Sequence, residues 1–249
     1  MPLLQTDAIQ IMTNAFRLME KAIEKPIKVT YQNSFVYRYK NKGVHEALLQ
    51  KLARSISGLN AIRLLLGDGF TQETGVLLRT IDEIHEDIAF LATSVTNNAH
   101  TERHTKYLEA FYADSIFSRQ PNALEILKPN LVSRKKIRAH TMNTLGEGIN
   151  ISEALIASES ISTTYSGYVH AASENIMDMY GGNPPHFHLN GMPGTTRTES
   201  YELTTENYIY RGLMMSIFVA KAFGDTVLID SLTLFLEKYE AANEHLNSK

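Results

Sequence analysis

The chain has 249 residues, a net charge of −3 and no cysteine, and it is long enough to bury a full hydrophobic core. The lack of cysteine excludes disulfides, thiolate zinc sites and cysteine nucleophiles, and the net charge excludes a positive field over the whole surface that would hold nucleic acid. The longest apolar run, GLMMSIFVA at 212–220, is too short to span a bilayer and predicts a buried core helix. Because the amino terminus lacks an uninterrupted apolar run, we expect a cytoplasmic protein with no membrane partner.

Hydrophobic spacing along the chain predicts a mainly helical protein. Residues 27–42 instead alternate with a period of two, which predicts a β-hairpin that turns near Gln32–Asn33. The predicted helices cover 4–24, 44–66, 71–95, 101–118, 133–140, 150–180, 204–223 and 225–246. We expect Thr71 to cap the third helix, Gly181–Gly182 to end the sixth, and 183–203 to form a loop or short hairpin. No linker divides the chain, which favours a single-domain helical bundle over 1–249 with a small β-hairpin appendage.

One predicted helix carries an unusual number of polar residues. The stretch LLRTIDEIHEDIAFL, 77–91, places Arg79, Glu83 and Glu86 on the side away from its apolar seam, with His85 beside that seam. This side is either a solvated face with an i,i+4 ion pair or an inward-facing network. A buried network is costly because its charges lose water, so it is tolerated mainly where it has a function.

Two segments of the sequence carry a resemblance to a known family. LLLGDGFTQETGVLLRTIDE at 64–83 and TYSGYVHAASE at 164–174 together resemble an uncharacterised, mostly bacterial family of helical domains of unknown function. That family is similar to the HEPN superfamily, named for higher eukaryotes and prokaryotes nucleotide-binding, and the resemblance covers roughly 45–180. Many HEPN proteins are metal-independent ribonucleases of toxin–antitoxin or phage-defence systems and work as dimers. The resemblance therefore implies a HEPN-like bundle, a role as a defence or toxin component, and a homodimer.

The HEPN signature is an arginine followed by a histidine after a short spacer. Arg79-TIDEI-His85 fits this signature, and the spacings from Arg38 to His45 and from Arg134 to His140 fit as well. Such short motifs match by chance in a chain that is rich in both residue types.

The resemblance also implies roles for individual residues. Arg79 and His85 would be the catalytic pair, in which His85 acts as general base on a ribose 2′-hydroxyl and Arg79 stabilises the charge of the phosphorane. Glu83, Tyr165 and His170 would bind the substrate, which would be RNA or a nucleotide. No metal or other cofactor is expected for this reaction.

Other interpretations of the same residues stay open. The protein could be a non-enzymatic protein-interaction domain in which Arg79, Glu83 and His170 form a buried structural network. It could also be a metal-dependent helical enzyme that uses Glu83, Glu86 and His170. We expect Arg79 and Glu83 to point towards the 160–180 helix with His170 within reach.

Three short segments are further candidates for ligand binding. HFH would place His186 and His188 on one side of a strand, but no further ligand lies close in sequence to complete a metal site. VYRYKNKG at 36–43 interleaves aromatic residues with cations, which suits base stacking and phosphate binding or protects an edge strand from aggregation. SRKKIRAH at 133–140 could follow a nucleic-acid backbone or coat a helix.

Overall fold

The fold is taken from a computed structural model, which describes residues 2–113, 132–145 and 163–243. Its elements are α1 (Pro2–Glu20), β1 (Ile27–Tyr31), β2 (Ser34–Arg38), α2 (Val44–Gly67), α3 (Thr71–Thr96), α4 (Glu102–Phe111), α5 (Arg134–Leu145), α6 (Ser173–Met177), β3 (Tyr180–Gly181), β4 (His186–Phe187), α7 (Thr196–Phe223) and α8 (Thr226–Ala242). Residues 163–169 are helical as well. The protein is mainly α with two small antiparallel hairpins in the described ranges, so the predicted fold class is confirmed.

Helix α3 lies at the centre of the helical packing. It contacts α2, α5 and α7, and α7 in turn contacts α1, α2 and α8. The predicted apolar seam of α3 is buried at Ile81, Ile84 and Ile88, as its helical period predicts. From Asp87 to Ser94 every residue of α3 is buried, so this half of the helix has protein on all sides. Polar residues of α3 are therefore drawn into the interior.

The apolar run 212–220 lies within α7 and is part of the core. Leu213, Val219 and Ala220 are wholly buried, which confirms the prediction of a buried helix. Among the helices that the structure describes, none is long and apolar enough to cross a membrane.

The β1–β2 hairpin has the predicted place and turn. Its strands pair antiparallel with Tyr31 opposite Ser34, so Gln32 and Asn33 form the turn, and Gln32 takes a positive φ of 50°. All residues of the hairpin are described, and none of their side chains belongs to the hydrophobic core or packs against it. The hairpin is therefore an appendage to the helical body.

The single helix predicted over 150–180 is wrong in its described part, which begins at 163. The helical residues end at 169, Ala171 then takes a positive φ of 50°, and the N–H of Ala172 donates to the carbonyl of Gly167 at 2.9 Å. A left-handed residue with such a bond closes the carboxyl end of a helix. The sequence does not predict this break, because a residue in the left-handed conformation is normally glycine or asparagine, and here it is alanine.

The second hairpin begins earlier than predicted. Gly181, which the sequence suggested as part of a helix stop, pairs with His186 in the β3–β4 ladder. Gly182 lies in the connecting turn with a φ of 87°. The strand at Tyr180–Gly181 thus precedes the predicted window of 183–203, whereas β4 lies inside it.

Thr71 does not cap α3, contrary to the prediction. The N-cap position is held by Phe70, and the Thr71 hydroxyl donates to the sulfur of Met192 at 3.7 Å. The backbone N–H of Met192 also donates to the carbonyl of Gly69, whose φ is 74°. The turn between α2 and α3 is therefore shaped to receive the loop before α7, a long-range contact that a local capping pattern cannot reveal.

The last two helices are confirmed, with one earlier start. Helix α7 begins at Thr196 rather than near 204, because Thr195 caps it by accepting from the N–H of Thr198. Asp225 caps α8 in the same way, and the predicted residues 244–246 lie outside the described part. Helix α4 ends at Phe111, and residues 114–118 of that prediction are also outside it.

Candidate functional site

Arg79 and Glu83, two of the predicted site residues, pair with each other on α3. The Nη2 atom of Arg79 lies 2.7 Å from Oε1 of Glu83, and the Glu83 side chain is 43% exposed. A partly exposed i,i+4 pair of this kind contributes about 0.2–0.5 kcal/mol. The pair matches the surface-helix interpretation, although Nη1 of Arg79 is buried without a hydrogen-bond partner among the described residues.

His85, the predicted general base, lies in the interior and is 3% exposed. Its Nε2 atom is 3.3 Å from the hydroxyl of Ser55 on α2. Burial lowers the pKa of His85 well below its usual value, and the positive charge of Arg211 lowers it further, so the ring is neutral at physiological pH. A general base must come within hydrogen-bond reach of its substrate. The structure encloses His85, whereas it places Arg79 in a partly exposed ion pair.

The segment after residue 163 approaches α3 through tyrosines rather than through His170, which is exposed. The ring of Tyr168 lies directly over Gly75 of α3, where a Cβ atom would be 2.8 Å from the ring. Burial raises the pKa of Tyr165, and the charge of Asp82 raises it further. The rings of Tyr165 and Tyr208 meet edge to face with centroids 6.4 Å apart, and the Tyr208 hydroxyl donates to Asp82 of α3. The structure thus brings Tyr165 near α3, and it does not enclose His170 there.

Asp82 forms a buried cluster with two residues of α7. The hydroxyl of Tyr208 donates to Oδ2 of Asp82 at 2.7 Å, and Nη1 of Arg211 lies 2.7 Å from Oδ1. The Asp82 carboxylate therefore has a hydrogen-bonded cation on one oxygen and a hydroxyl on the other. A buried carboxylate in such a position is fully paired.

Asp87 is the best enclosed carboxylate of α3, and two helices supply its cations. Nζ of Lys51 on α2 lies 2.7 Å from Oδ2, and Nη2 of Arg134 on α5 lies 2.7 Å from Oδ1. Glu86 pairs with the same side of α5, because Nε of Arg138 donates to it at 2.6 Å. Helix α5 is thus attached to α3 through its arginines. Part of the segment SRKKIRAH therefore packs on α3.

These pairs answer the question raised by the polar stretch at 77–91. Asp82, Glu86 and Asp87 form ion pairs with residues of α7, α5 and α2, whereas Arg79 and Glu83 form a local pair that is partly exposed. Sequence reasoning named Glu86, Arg79 and Glu83 but missed Asp82 and Asp87, together with their partners on other helices. Of those partners only Arg134 lies in a segment that the sequence singled out, SRKKIRAH at 133–140.

A second group of side chains lies on the outward face of the β1–β2 hairpin. Lys28 stands opposite Tyr37 and Thr30 opposite Phe35, so these four share one face of the ladder, here called the hairpin face. Phe35 is 47% and Tyr37 54% exposed. Their rings meet edge to face with centroids 5.4 Å apart, and Nζ of Lys28 lies 4.4 Å above the ring of Phe35.

Comparison with known proteins adds no relative. No protein-family model, no curated protein and no solved structure matches the chain. The resemblance to HEPN-like domains therefore rests on the segments at 64–83 and 164–174, and it stays a prediction.

The histidines of HFH are close to each other in the structure. The ring centroids of His186 and His188 are 4.5 Å apart, and Nδ1 of His186 lies 2.9 Å from the carbonyl oxygen of Pro184. Within 2–113, 132–145 and 163–243, no group of three or more histidine or acidic residues is placed to hold a metal ion. The metal-dependent interpretation through Glu83, Glu86 and His170 has no support there.

Proposed function

We propose that the protein binds single-stranded RNA and that the hairpin face is the binding surface. The observation that carries this proposal is a pair of exposed aromatic rings beside cations, on a hairpin whose side chains contribute nothing to the core. Phe35 and Tyr37 do not pack against the helical core, so core burial does not explain why both rings lie on this face. Base stacking on such rings explains their exposure.

The charge around the hairpin favours a polyanion. Residues 25–42 contain five cations and no carboxylate, which gives +5 and leaves −8 for the remainder of the chain. Phosphates are held by lysine and arginine, and stacking of a base on an aromatic side chain contributes about 1–3 kcal/mol. Exposed Phe35 and Tyr37 next to Lys28 supply both interactions on one face.

Protection of an edge strand explains the lysines of this hairpin but not its rings. Lysine on an open edge prevents pairing with other chains, and this use is common. Two neighbouring exposed aromatic rings have the opposite effect, since they favour association. The combination is therefore better accounted for by a ligand that covers the rings.

Tyr37→Ala should weaken the binding of single-stranded RNA by roughly tenfold, because one stacking platform is lost. Tyr37→Phe should bind like the unchanged protein, since it keeps the ring. The measurement is fluorescence anisotropy with a labelled oligouridylate, repeated at several salt concentrations. A steep loss of affinity with added salt is expected where phosphates are contacted.

Val227→Ala is the control for this experiment, because Val227 is an exposed apolar residue on α8. Equal affinity of Tyr37→Ala and the unchanged protein would exclude the hairpin face. Cleavage of the RNA during the assay, and its loss in Arg79→Ala, would support the ribonuclease hypothesis. The enclosed position of His85 leads us to infer binding without cleavage.

A second candidate function is protein interaction, which an exposed apolar segment at 169–189 favours. The large exposed hydrophobic residues of this segment are Val169, Ile176, Met177, Tyr180, Phe187 and Leu189. Asp178 is paired with Arg197, so Glu174 is the one acidic residue of the segment outside an ion pair in the structure as described. A nearly neutral apolar surface can meet a second copy of itself without charge repulsion.

Leu189→Glu should convert a homodimer formed through this segment into a monomer. Leu189 is 74% exposed, so the change introduces a charge into the interface without disturbing the fold. Light scattering after size exclusion gives the mass directly. Val227→Glu serves as the matched control, and a monomeric unchanged protein would exclude the dimer.

A further inference from the structure

The β3–β4 hairpin presents two histidines side by side. His186 and His188 lie on the same side of the second strand, because alternate residues of a strand share a face. The ladder pairs Gly181 with His186, and the backbone N–H of His188 donates to the carbonyl of Met179 at 2.9 Å, which continues the pairing by one more step. Main-chain bonds therefore hold both histidines on one short piece of sheet.

The two imidazole rings turn towards the same space. Their centroids are 4.5 Å apart. A Cβ atom at Gly182, in the connecting turn, would lie 3.1 Å from Cε1 of His186 and 3.5 Å from Nε2 of His188, so both rings reach over this glycine. Two imidazoles that bind one metal ion with bonds of about 2.0–2.1 Å have ring centroids roughly 4.5–5 Å apart. The spacing of the two rings therefore suits a metal chelate.

The hydrogen bonds of the two rings show which nitrogens can bind a ligand. Nδ1 of His186 lies 2.9 Å from the carbonyl oxygen of Pro184, which can only accept, so in the neutral ring Nδ1 carries the proton and Nε2 keeps a lone pair. A metal-binding histidine usually donates its other ring N–H in this way. The ring of His188 contacts that of His186, and its nitrogens have no hydrogen-bond partner among the described residues.

The pair is accessible to solvent, and its hairpin is fixed on both sides. His186 is exposed and His188 is partly exposed. Before β3, Asp178 pairs with Arg197 of α7, and after β4, the backbone N–H of Met192 donates to the turn between α2 and α3. Ligands that are already held in place lose less conformational freedom when an ion binds.

The available donors select the kind of ion. Imidazole nitrogen suits zinc, copper and nickel, whereas magnesium and calcium prefer oxygen ligands. The acids of the same segment are Glu174 and Asp178, and Asp178 is already engaged by Tyr168 and Arg197. In the described ranges no third histidine or acid joins the pair. Two positions of a four-coordinate ion therefore remain for water or an incoming ligand.

We propose that His186 and His188 bind a divalent transition-metal ion of the zinc class. The Nε2 atoms of the two rings are the protein ligands, and water occupies the other two positions. One chain supplies both histidines, so the site requires neither RNA binding by the hairpin face nor a homodimer. Each of these proposals can fail without the others.

The test is isothermal titration of the untagged chain with zinc chloride at neutral pH. One zinc ion should bind per chain. His186→Ala and His188→Ala should each weaken this binding at least tenfold, because the loss of an outer-shell partner alone typically costs about 10–100-fold. Magnesium chloride should show no binding, since the site offers nitrogen rather than oxygen.

His100→Ala is the control variant, because His100 is an exposed histidine outside the β3–β4 hairpin, and it should bind zinc like the unchanged protein. A second measurement needs no variant: zinc should shift the ring NMR signals of His186 and His188 and leave that of His100 in place. Equal zinc affinity of His188→Ala and the unchanged protein would overturn the proposal. Magnesium moving the same ring signals would overturn it too, because an ion that prefers oxygen would then be bound.

Discussion

Asp87→Ala is expected to lower the free energy of unfolding by about 3–5 kcal/mol, because it leaves two cations without their partner. The carboxylate is almost wholly buried, and both Lys51 and Arg134 lie 2.7 Å from it. Burial raises the pKa of Tyr107, and the charge of Asp87 raises it further, so a third side chain adjoins the same carboxylate. Removing the Asp87 carboxylate therefore takes away a charged partner from residues of α2, α4 and α5 at the same time.

Glu83→Ala provides the matched control on the same helix. Glu83 also pairs with an arginine at 2.7 Å, but its side chain is 43% exposed. Its loss should change the free energy of unfolding by about 0.5 kcal/mol or less. Urea unfolding monitored by circular dichroism at pH 7 gives both values. A cost below about 1 kcal/mol for Asp87→Ala would mean that α5 separates easily from α3 and lets water reach the lysine and arginine.

The difference between Glu83 and Asp87 also shows which ion pairs can be predicted from the sequence. Arg79 and Glu83 are four residues apart, so their pairing follows from helical spacing alone. Asp87 and Lys51 are 36 residues apart, and Asp82 and Arg211 are 129 apart. Which helix supplies each cation depends on how the helices pack, and no local pattern contains that information.

The fold was predictable wherever one face of an element meets the core. The seam of α3 and the apolar run of α7 have clear helical periods, and the hairpin at 27–38 has a clear period of two. The break after residue 169 was not predictable, because Ala171 adopts a backbone conformation that its side chain does not signal. The early start of α7 was missed because Thr195 caps a turn that carries few apolar residues.

The candidate site shows the same division. The aromatic and basic character of the hairpin is visible in the sequence, and the structure adds that the rings point away from the core. For α3 the sequence analysis selected Arg79 and Glu83 as the inward-facing charges and His170 as their neighbour, whereas the buried charges of this helix are Asp82 and Asp87. The exposed position of His170 follows from the helix end at 169, so one unpredicted break moved one predicted site residue.

His104 also escaped the sequence patterns, although it completes a capping box at the start of α4. Its Nδ1 atom accepts from the backbone N–H of Thr101 at 3.0 Å, and its Nε2 lies 3.2 Å from the carbonyl of Phe90. The third helical position of such a box is normally glutamate or glutamine. Since Nδ1 is an acceptor here, the proton is on Nε2 and the ring must be neutral.

The stability of the protein should therefore decrease as the pH is lowered, because of this histidine. Burial, together with the charges of His140, His100 and Arg103, lowers the pKa of His104 from 6.5 to about 4, and the hydrogen bond to the Phe90 carbonyl acts in the opposite direction. Between those values the unfolded chain binds the proton and the folded protein does not. The stabilisation is complete above pH 6.5 and is lost as the pH falls towards 4.

His104→Gln should remove this dependence and keep the cap, because the glutamine oxygen can accept from Thr101 as in an ordinary capping box. Relative to His104→Gln, the unchanged protein should lose about 2 kcal/mol more stability between pH 7 and pH 5, and about 3 kcal/mol more by pH 4. Urea unfolding at each pH measures the difference. Acid-sensitive groups that do not contact His104, including His85, affect both proteins equally and cancel in the comparison.

Thr101→Ala separates the proton effect from the cap itself. It should lower stability by about 1 kcal/mol at every pH, because it removes a side-chain cap and leaves the backbone N–H bonded to His104. Parallel pH profiles for His104→Gln and the unchanged protein would contradict the prediction. That result would mean that the imidazole accepts a proton at Nδ1 in the folded state, which requires the backbone N–H of Thr101 to turn away from this nitrogen.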